Sequence, residues 1–398
     1  MDKLVKLTWL LHISTLIFFT GGMIVSPIIS PFALSLGADA IIIGLLSSIT
    51  SIVTIIIRPF AGLIVDRGKR FETLMLGTAL NCAAAIIYFF SNDLWSFAFG
   101  RILSGLASAF FMPASISTAI DLSPMDRVGE TLGWRSTMFG ISQLLGPGVG
   151  GYLADLMGYR NTFIINFLFV LTALIIIYFT SRMVPKDIVK HGGNSNGFKD
   201  IKRLLKLNFI GAMLAVIFYS MAMSGVSTFL PAYYVSVGLG TATYGLYSSI
   251  NGGASIVTRA TSGRIADKHG PIPVASIGAI IITLGYTVLS MFPDPPLAYL
   301  AAVLVGVGIG LWVPAIQLLA LGDLPPEIRG FGSGIYSIAF DAGFMIGPII
   351  FGFIIESSGS YLSILWLLPI LTFSALLIVQ IVGLIMRRSH DKHLIAKM

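Results

Sequence analysis

Stretches of about 20 consecutive apolar residues recur along the whole chain, separated by short polar turns. Of the 398 residues, 56% are hydrophobic and only 11% are charged, which is too little polar surface for a soluble fold. Lipid leaves backbone groups without hydrogen-bond partners, so spanning segments must be helices or closed barrels, and these runs are about twice as long as a barrel strand. The sequence therefore predicts an all-α polytopic membrane protein.

The second half of the chain repeats the first at a constant offset of 201 positions. Three residues around one charged loop show the match: Arg58 with Arg259, Gly62 with Gly263 and Asp66 with Asp267. The same offset aligns Gly146 with Gly347 and Pro147 with Pro348. Each half contains six apolar runs, so we expect twelve transmembrane helices in two six-helix bundles.

Shifts in composition predict four segments. The N-terminal bundle is expected at 1–181 and the C-terminal bundle at 207–386. Residues 182–206 are rich in Lys, Asp, Gly, Asn and Ser and indicate a flexible linker, and residues 387–398 form a basic tail.

Basic residues indicate the orientation in the membrane. Most of the 25 Lys and Arg residues lie in alternate loops, in the linker and near both termini, whereas the opposite loops hold only Arg160. The positive-inside rule therefore places both termini, the linker and the tail in the cytoplasm. The first apolar run is longer than a signal-peptide core and lacks a cleavage site after it, so we expect a multi-pass protein of the inner or plasma membrane.

Enzymatic and metal chemistry have little support in the sequence. The single cysteine, Cys82, lies in an apolar run, and the five histidines form no spaced ligand pair within a helix. The absence of a Gly-x-x-x-x-Gly-Lys-Ser/Thr loop disfavours an ATP-driven pump. The net charge of +7 is confined to alternate loops, which does not indicate a nucleic-acid partner. We expect no enzyme activity, cofactor or metal, and a monomer whose partners are the lipid bilayer, a small-molecule substrate and a proton.

Two six-helix repeats of the same orientation describe a transporter whose halves rock around a central site. The charged loop from Gly62 to Arg70 resembles the loop 2–3 signature of the major facilitator superfamily, Gly-x-Leu-Ala-Asp-Arg-x-Gly-Arg-Lys, but is one residue short after Arg67. The copy from Gly263 to Gly270 keeps the full spacing. The resemblance implies a cytoplasmic conformational latch, with six candidate residues: Gly62, Asp66, Arg67, Arg70, Gly263 and Asp267.

Physical chemistry suggests a role in the latch for two of these residues. Gly62 would allow a close helix approach, and the Asp66 carboxylate would cap or face a helix N-terminus. The alternative is that the basic residues of this loop only determine topology.

The fifth apolar run carries a glycine-rich motif, which resembles the Gly-Pro-x-x-Gly-Gly motif that the family shows mostly in proton-driven exporters: Gly146, Pro147, Gly150 and Gly151. Glycines let two helices touch, and a proline removes a backbone donor, so the motif predicts a bend packed against a neighbouring helix. Helix packing alone also explains it; the resemblance favours export over import.

Asp341 is the only acid in the middle of a span. It lies about 15 Å along the helix from Phe331, close to the midplane of a ~30 Å core, and is the candidate for proton coupling. The alternative is a hydrogen bond from Asp341 to a helix backbone opened near Gly343 or Pro348.

Three arginines, Arg58, Arg101 and Arg135, lie within spans of the first half. Arg101 begins an Arg-x-x-x-Gly pattern that resembles the family's fourth span, and it is the second candidate for proton coupling. It lies about 10 Å inside the boundary near Trp95, where a charge is costly unless it meets water or an acid; the alternative is snorkelling to the surface. Arg135 lies one turn into its span and is expected to snorkel.

The family lines its pathway with the first helix of each triplet, which implies eight cavity candidates: Phe18, Phe19, Met112, Tyr219, Met223, Phe229, Trp312 and Gln317. Neighbouring spans add two more, Gln143 and Asn251. Aromatic and methionine side chains suit apolar or amphipathic solutes. No cluster of arginines indicates a phosphate or dicarboxylate carrier.

The leading prediction is secondary active transport, as proton-coupled efflux of amphipathic small molecules by alternating access. An importer or facilitator of a neutral metabolite such as a sugar is the first alternative; it would need several converging Asn and Gln groups. A non-transporting membrane sensor is the second, and it would need a soluble signalling domain.

Overall fold

The computed structural model describes residues 2–123, 127–184, 204 and 206–395. Within these ranges the backbone forms 13 α-helices and no strand. The helices are α1 Asp2–Val25, α2 Ile29–Ser35, α3 Ala40–Asp66, α4 Arg70–Phe90, α5 Leu94–Leu122, α6 Val128–Met157, α7 Tyr159–Met183, α8 Leu207–Ser236, α9 Thr241–His269, α10 Pro271–Met291, α11 Leu297–Leu321, α12 Pro326–Ser358 and α13 Leu367–Ile395. The all-α polytopic prediction is confirmed.

Ten spans in the described part of the chain are long and apolar enough to cross a membrane. Helices α6 and α9 are equally long, with 30 and 29 residues, but their sequences are richer in Gly, Ser and Thr. They bring the membrane-length helices to the twelve that the repeat predicts. The first span is broken, because α1 ends at Val25 and α2 begins at Ile29, on either side of Pro27.

Backbone contacts divide the described residues into two compact units. Unit 1 takes in the described residues of Met1–Ser195, Val226–Gly253 and Pro348–Tyr361, and unit 2 takes in those of Asn196–Gly225, Ala254–Gly347 and Leu362–Met398. Parts of α8, α9 and α12 thus belong to unit 1, so the two units differ from the predicted bundles. The bundle boundaries stay a prediction. Residues 185–203 and 205 of the linker, and the tail's side chains, lie outside the described residues.

Helix α1 forms the centre of the unit 1 core. The Phe18 ring stacks on Phe111 of α5 at 3.5 Å between centroids, and Phe19 meets Phe139 of α6 edge to face at 4.8 Å. Aromatic pairs of this kind add to the free energy gained by burying their surface. The core thereby fixes the faces that α1, α5 and α6 present to one another.

Candidate functional site

The two copies of the charged loop turn in the same way despite their different lengths. In the first copy α3 ends at Asp66 and Gly68 adopts φ of 84°; in the second α9 ends at His269 and Gly270 adopts φ of 84°. This left-handed conformation costs glycine little and other residues considerably more. Asp66 and Asp267 are both exposed beside these turns.

Arg70 is engaged within unit 1. Its guanidinium pairs with the Asp121 carboxylate of α5, and Nη1 donates to the Ser117 carbonyl at 3.2 Å. Arg67 is exposed. A Cβ built at Gly62 or at Gly263 would meet no described neighbour within 4 Å beyond its own stretch of helix, and the close helix approach at Gly62 stays a prediction. The latch role of these residues stays a prediction.

The glycine motif of α6 lies between two helices. On one side, Gly146 packs on Met23, and a Cβ at Gly150 would overlap the Ile24 carbonyl of α1. On the other side, a Cβ at Gly151 would lie 2.7 Å from the Thr241 carbonyl oxygen of α9. Pro147 is itself buried, and its carbonyl packs on Gly245 of α9, while the Gly148 amide donates to Ser249 Oγ at 2.8 Å. Small residues are therefore required on both faces of α6.

Asp155, near the end of α6, caps the N-terminus of α9. Its Oδ1 accepts the Thr241 amide and its Oδ2 the Ala242 amide, each at 2.8 Å. The first amides of a helix have no partner within the helix, and they carry the positive end of the helix dipole, so a carboxylate there stabilises the helix. Asp155 therefore holds the end of α6 against the start of α9.

The repeat explains why α9 needs a cap from another helix. In the first half Asp39 precedes α3, and its own side chain accepts the Ile42 amide at 2.7 Å. Its counterpart in the second half is Gly240, which has no side chain, adopts φ of 76° and would place a Cβ 2.7 Å from Asp155 Oδ2. Sequence reasoning missed Asp155, although the repeat places an acid, Glu356, at the matching position.

Arg101 binds the backbone of α3. Its Nε donates to the Leu46 carbonyl at 3.0 Å and its Nη2 to the Ser47 carbonyl at 3.3 Å. One turn further on, a Cβ at Gly105 would lie 2.8 Å from the Thr50 carbonyl oxygen. The Arg-x-x-x-Gly pattern therefore packs α5 onto α3. A role for Arg101 in proton coupling stays a prediction.

Asp341 is the sixteenth of the 33 residues of α12 and is partly buried. Gly343 and Gly347 of the same helix pack on α8, where a Cβ at Gly343 would lie 2.8 Å from the Met221 amide. This contact places the backbone of α12 beside α8 within unit 2, and the coupling role of Asp341 stays a prediction.

The cavity candidates fall into separate groups. Phe18, Phe19 and Met112 belong to the α1–α5 side of unit 1, and Phe229 lies elsewhere in that unit, 6.5 Å from the Tyr361 ring. In unit 2 the buried side chains of Tyr219 and Trp312 lie 5.9 Å apart, and Tyr219 Oη donates to Met223 Sδ at 3.5 Å. The remaining candidates are Gln143 and Asn251, both partly buried in unit 1, and Gln317, which is exposed in unit 2.

Arg135 does not snorkel, and the prediction was wrong. Helix α6 begins at Val128, so Arg135 lies about 10 Å along it, two turns instead of one. Its side chain is buried at 9% exposure, with Nε and Nη2 donating to Ser115 Oγ of α5 at 3.1 and 2.7 Å. Nη2 also contacts Met112 Sδ at 3.7 Å, and the guanidinium lies 5.9 Å from the centre of the Phe19 ring. A buried cation of this kind costs several kcal/mol unless an anion meets it.

Comparisons with known proteins agree with this architecture. The family model of the Major Facilitator Superfamily matches residues 11–341. An uncharacterised MFS-type transporter of Methanocaldococcus jannaschii is 27% identical over 371 residues, covering 90% of this chain and 94% of its own length. Multidrug resistance protein 1 of Bacillus subtilis is 26% identical over 365 residues, covering 90% and 92%. The crystal structure of a D-xylose–proton symporter superposes with a TM-score of 0.75 at 18% identity, covering 94% and 96%, a likeness of fold alone.

The family match covers both halves of the repeat, so it confirms the resemblance that the charged loop and the glycine motif indicate. Proteins of this family are membrane transporters and not enzymes, which also confirms the expectation of no enzymatic activity. The chain belongs to the major facilitator superfamily.

Proposed function

We propose that this transporter is a proton-coupled exporter of amphipathic small molecules, working as an antiporter in the inner or plasma membrane with both termini in the cytoplasm. The observation that carries the proposal is Asp341, a carboxylate at the midpoint of a membrane-length helix. Burial favours the neutral form of a carboxyl group, so a proton and a cationic group can compete for it. The multidrug resistance protein of Bacillus subtilis supports export.

Import of a neutral metabolite is the second candidate. The fold is compatible with import, since a D-xylose–proton symporter shares it. The direction of the proton gradient separates the two functions, because an antiporter accumulates substrate when the vesicle interior is acidic, whereas a symporter does so when the exterior is acidic. Membership of a transporter family leaves the sensor alternative without support.

The test is transport into proteoliposomes with an imposed pH gradient, the membrane potential being clamped with potassium and valinomycin. The probes are tetraphenylphosphonium, 1-naphthalenesulfonate and D-xylose. We expect accumulation of an amphipathic probe with an acidic interior. Accumulation of D-xylose alone, with an acidic exterior, would contradict export.

Asp341→Asn keeps the size of the side chain and removes its titration. We expect this variant to fold and to bind substrate but to lose accumulation driven by the pH gradient. Asp294→Asn removes the same charge from an exposed position outside the helices and is the matched control. Full gradient-driven transport by Asp341→Asn, with unchanged pH dependence, would show that Asp341 is not the proton site.

A further inference from the structure

Arg135 has hydrogen-bond donors without acceptors in the described core of unit 1. A guanidinium carries five N–H donors. Nε and Nη2 contact Ser115 and Met112, whereas Nη1 donates to no residue in the described part of the chain. Nor does any described carboxylate form an ion pair with Arg135, in contrast to Arg70, which pairs with Asp121. The positive charge of Arg135 is therefore held in place but not neutralised.

A second polar side chain without a partner lies on α1. His12 is 2% exposed, and neither ring nitrogen has a hydrogen-bond partner among the described residues. Its ring packs edge to face on Trp9 at 5.7 Å, and Trp9 in turn lies 5.1 Å from Trp134, the residue before Arg135. These ring contacts place His12 and Arg135 at the same level of the contact between α1 and α6.

The register of α1 and α6 explains this juxtaposition. The helices run parallel, since Trp9 meets Trp134, Thr20 donates to Ser142 at 3.2 Å, and Ile24 meets Gly150. His12 and Phe19 are seven residues apart and share one face of α1. Since the Arg135 guanidinium lies over Phe19, that face of α1 is turned towards Arg135.

From this arrangement we propose that Arg135 and His12 form a binding site for the anionic group of an amphipathic substrate, such as a carboxylate or sulfonate on an aromatic body. Ser115 is a positioning residue, because its Oγ accepts from Arg135 and donates its own proton to the Met112 carbonyl at 3.0 Å. The free Nη1 donors provide the charge-assisted hydrogen bonds, and the planar guanidinium matches the two oxygens of such a group. His12 adds a further donor, and the rings of Phe19 and Phe139, which meet edge to face beside the guanidinium, would provide aromatic contacts for the apolar body. Binding of the anion does not depend on the proposed transport function. Only the identification of the bound molecule as a transported substrate rests on it.

Matched probes of nearly one shape test the site in the full-length protein. These are 1-naphthalenesulfonate, its neutral analogue 1-naphthalenesulfonamide, and 1-naphthylmethylammonium. Binding is measured by equilibrium dialysis of each probe with the protein in phosphatidylcholine nanodiscs, and the binding of the probe to nanodiscs without protein is subtracted. We expect the sulfonate to bind about tenfold more tightly than the sulfonamide, because only the sulfonate meets the guanidinium as an anion. Equal affinities, or a preference for the cation, would overturn the proposal without any variant being needed.

Variants test which residues cause the preference for the sulfonate over the sulfonamide. Arg135→Gln should lower sulfonate affinity about tenfold and leave sulfonamide affinity unchanged. His12→Phe should weaken binding of the sulfonate selectively. Ser115→Ala removes the hydrogen bonds that orient the guanidinium, so it should also reduce the preference for the sulfonate, and it tests the site even if Arg135→Gln fails to fold. Arg182→Gln removes an exposed charge at the end of α7 and is the control. Equal losses in Arg182→Gln and Arg135→Gln would refute the site.

Two further measurements complete the test. The first distinguishes a substrate site from a lipid-headgroup site, and the second distinguishes the loss of anion binding from the loss of transport. Phosphatidylglycerol added to the nanodiscs should leave sulfonate binding intact; strong competition would assign the site to a lipid headgroup and overturn the proposal. Gradient-driven transport is measured separately. If the protein transports its substrate but does not prefer the sulfonate, only the anion-site proposal is refuted. If it prefers the sulfonate but shows no proton coupling, only the proposed function is refuted.

Discussion

The cap that Asp155 places on α9 predicts that one carboxylate controls whether the ends of α6 and α9 stay together. Asp155→Ala removes both acceptors at once and leaves the Thr241 and Ala242 amides without them. Loss of an N-cap costs ~1 kcal/mol, and loss of a negative charge at an exposed helix N-terminus costs a further ~0.3–1 kcal/mol. The sum, about 1–2 kcal/mol, corresponds to a five- to thirtyfold shift towards the separated arrangement.

Spin labels can measure this shift directly. Leu156 at the end of α6 and Val237 before α9 are 66% and 51% exposed and accept labels, as Leu156→Cys and Val237→Cys, in a Cys82→Ser background. Pulsed electron–electron distance measurements in nanodiscs should give a narrow distribution with Asp155 present. Asp155→Ala should add a population at longer distance, and Asp155→Asn, which keeps one acceptor, should lie between the two.

Asp39→Ala is the matched control, because it removes a cap of similar free energy that lies within one helix. It should destabilise the start of α3 and leave the labelled distance unchanged. An unchanged distribution in Asp155→Ala would refute the reasoning, as would an equal broadening in Asp39→Ala. The former result would mean that the glycine contacts of α6 hold these helix ends together without the carboxylate.

Two other predictions follow from the helix contacts and caps. Gly150→Leu should separate α6 from α1, at a cost of about 1–3 kcal/mol for overpacking, whereas Gly22→Leu introduces the same side chain into open space. A lower unfolding temperature and reduced transport for Gly150→Leu alone would agree, and wild-type values would exclude a tight contact. Separately, the Ser96 amide lowers the pKa of Asp93, so this cap stabilises α5 at neutral pH and is lost as the pH falls below about 4. Hydrogen-exchange protection at the start of α5 should fall with acid in the wild type, and an equal acid response in Asp93→Asn would contradict this.

The parts of the fold that depend on chain-wide patterns could be predicted from the sequence. Apolar runs give the helices, and the repeat gives their number and the location of the glycine motif in α6. The break between α1 and α2 at Pro27 could not be predicted in this way, because a proline specifies a lost hydrogen bond and not how the chain turns around it. Gly62 shows a similar limit, because a glycine permits a close contact without requiring one, and a Cβ there would meet no described neighbour within 4 Å.

Arg135 shows why the depth of a charge in a span does not determine its environment. One turn from a predicted helix end, an arginine can reach the membrane surface, and the sequence alone gave no reason for another choice. The outcome depends on a residue 20 positions earlier, Ser115, which α5 presents to α6 because Phe111 stacks on Phe18 and fixes the rotation of α5 about its axis. Such a rotation follows from packing of three helices and leaves no local pattern in the sequence. The juxtaposition of Arg135, Ser115 and His12, on which the proposed anion site rests, could therefore be found only once these helices were seen together.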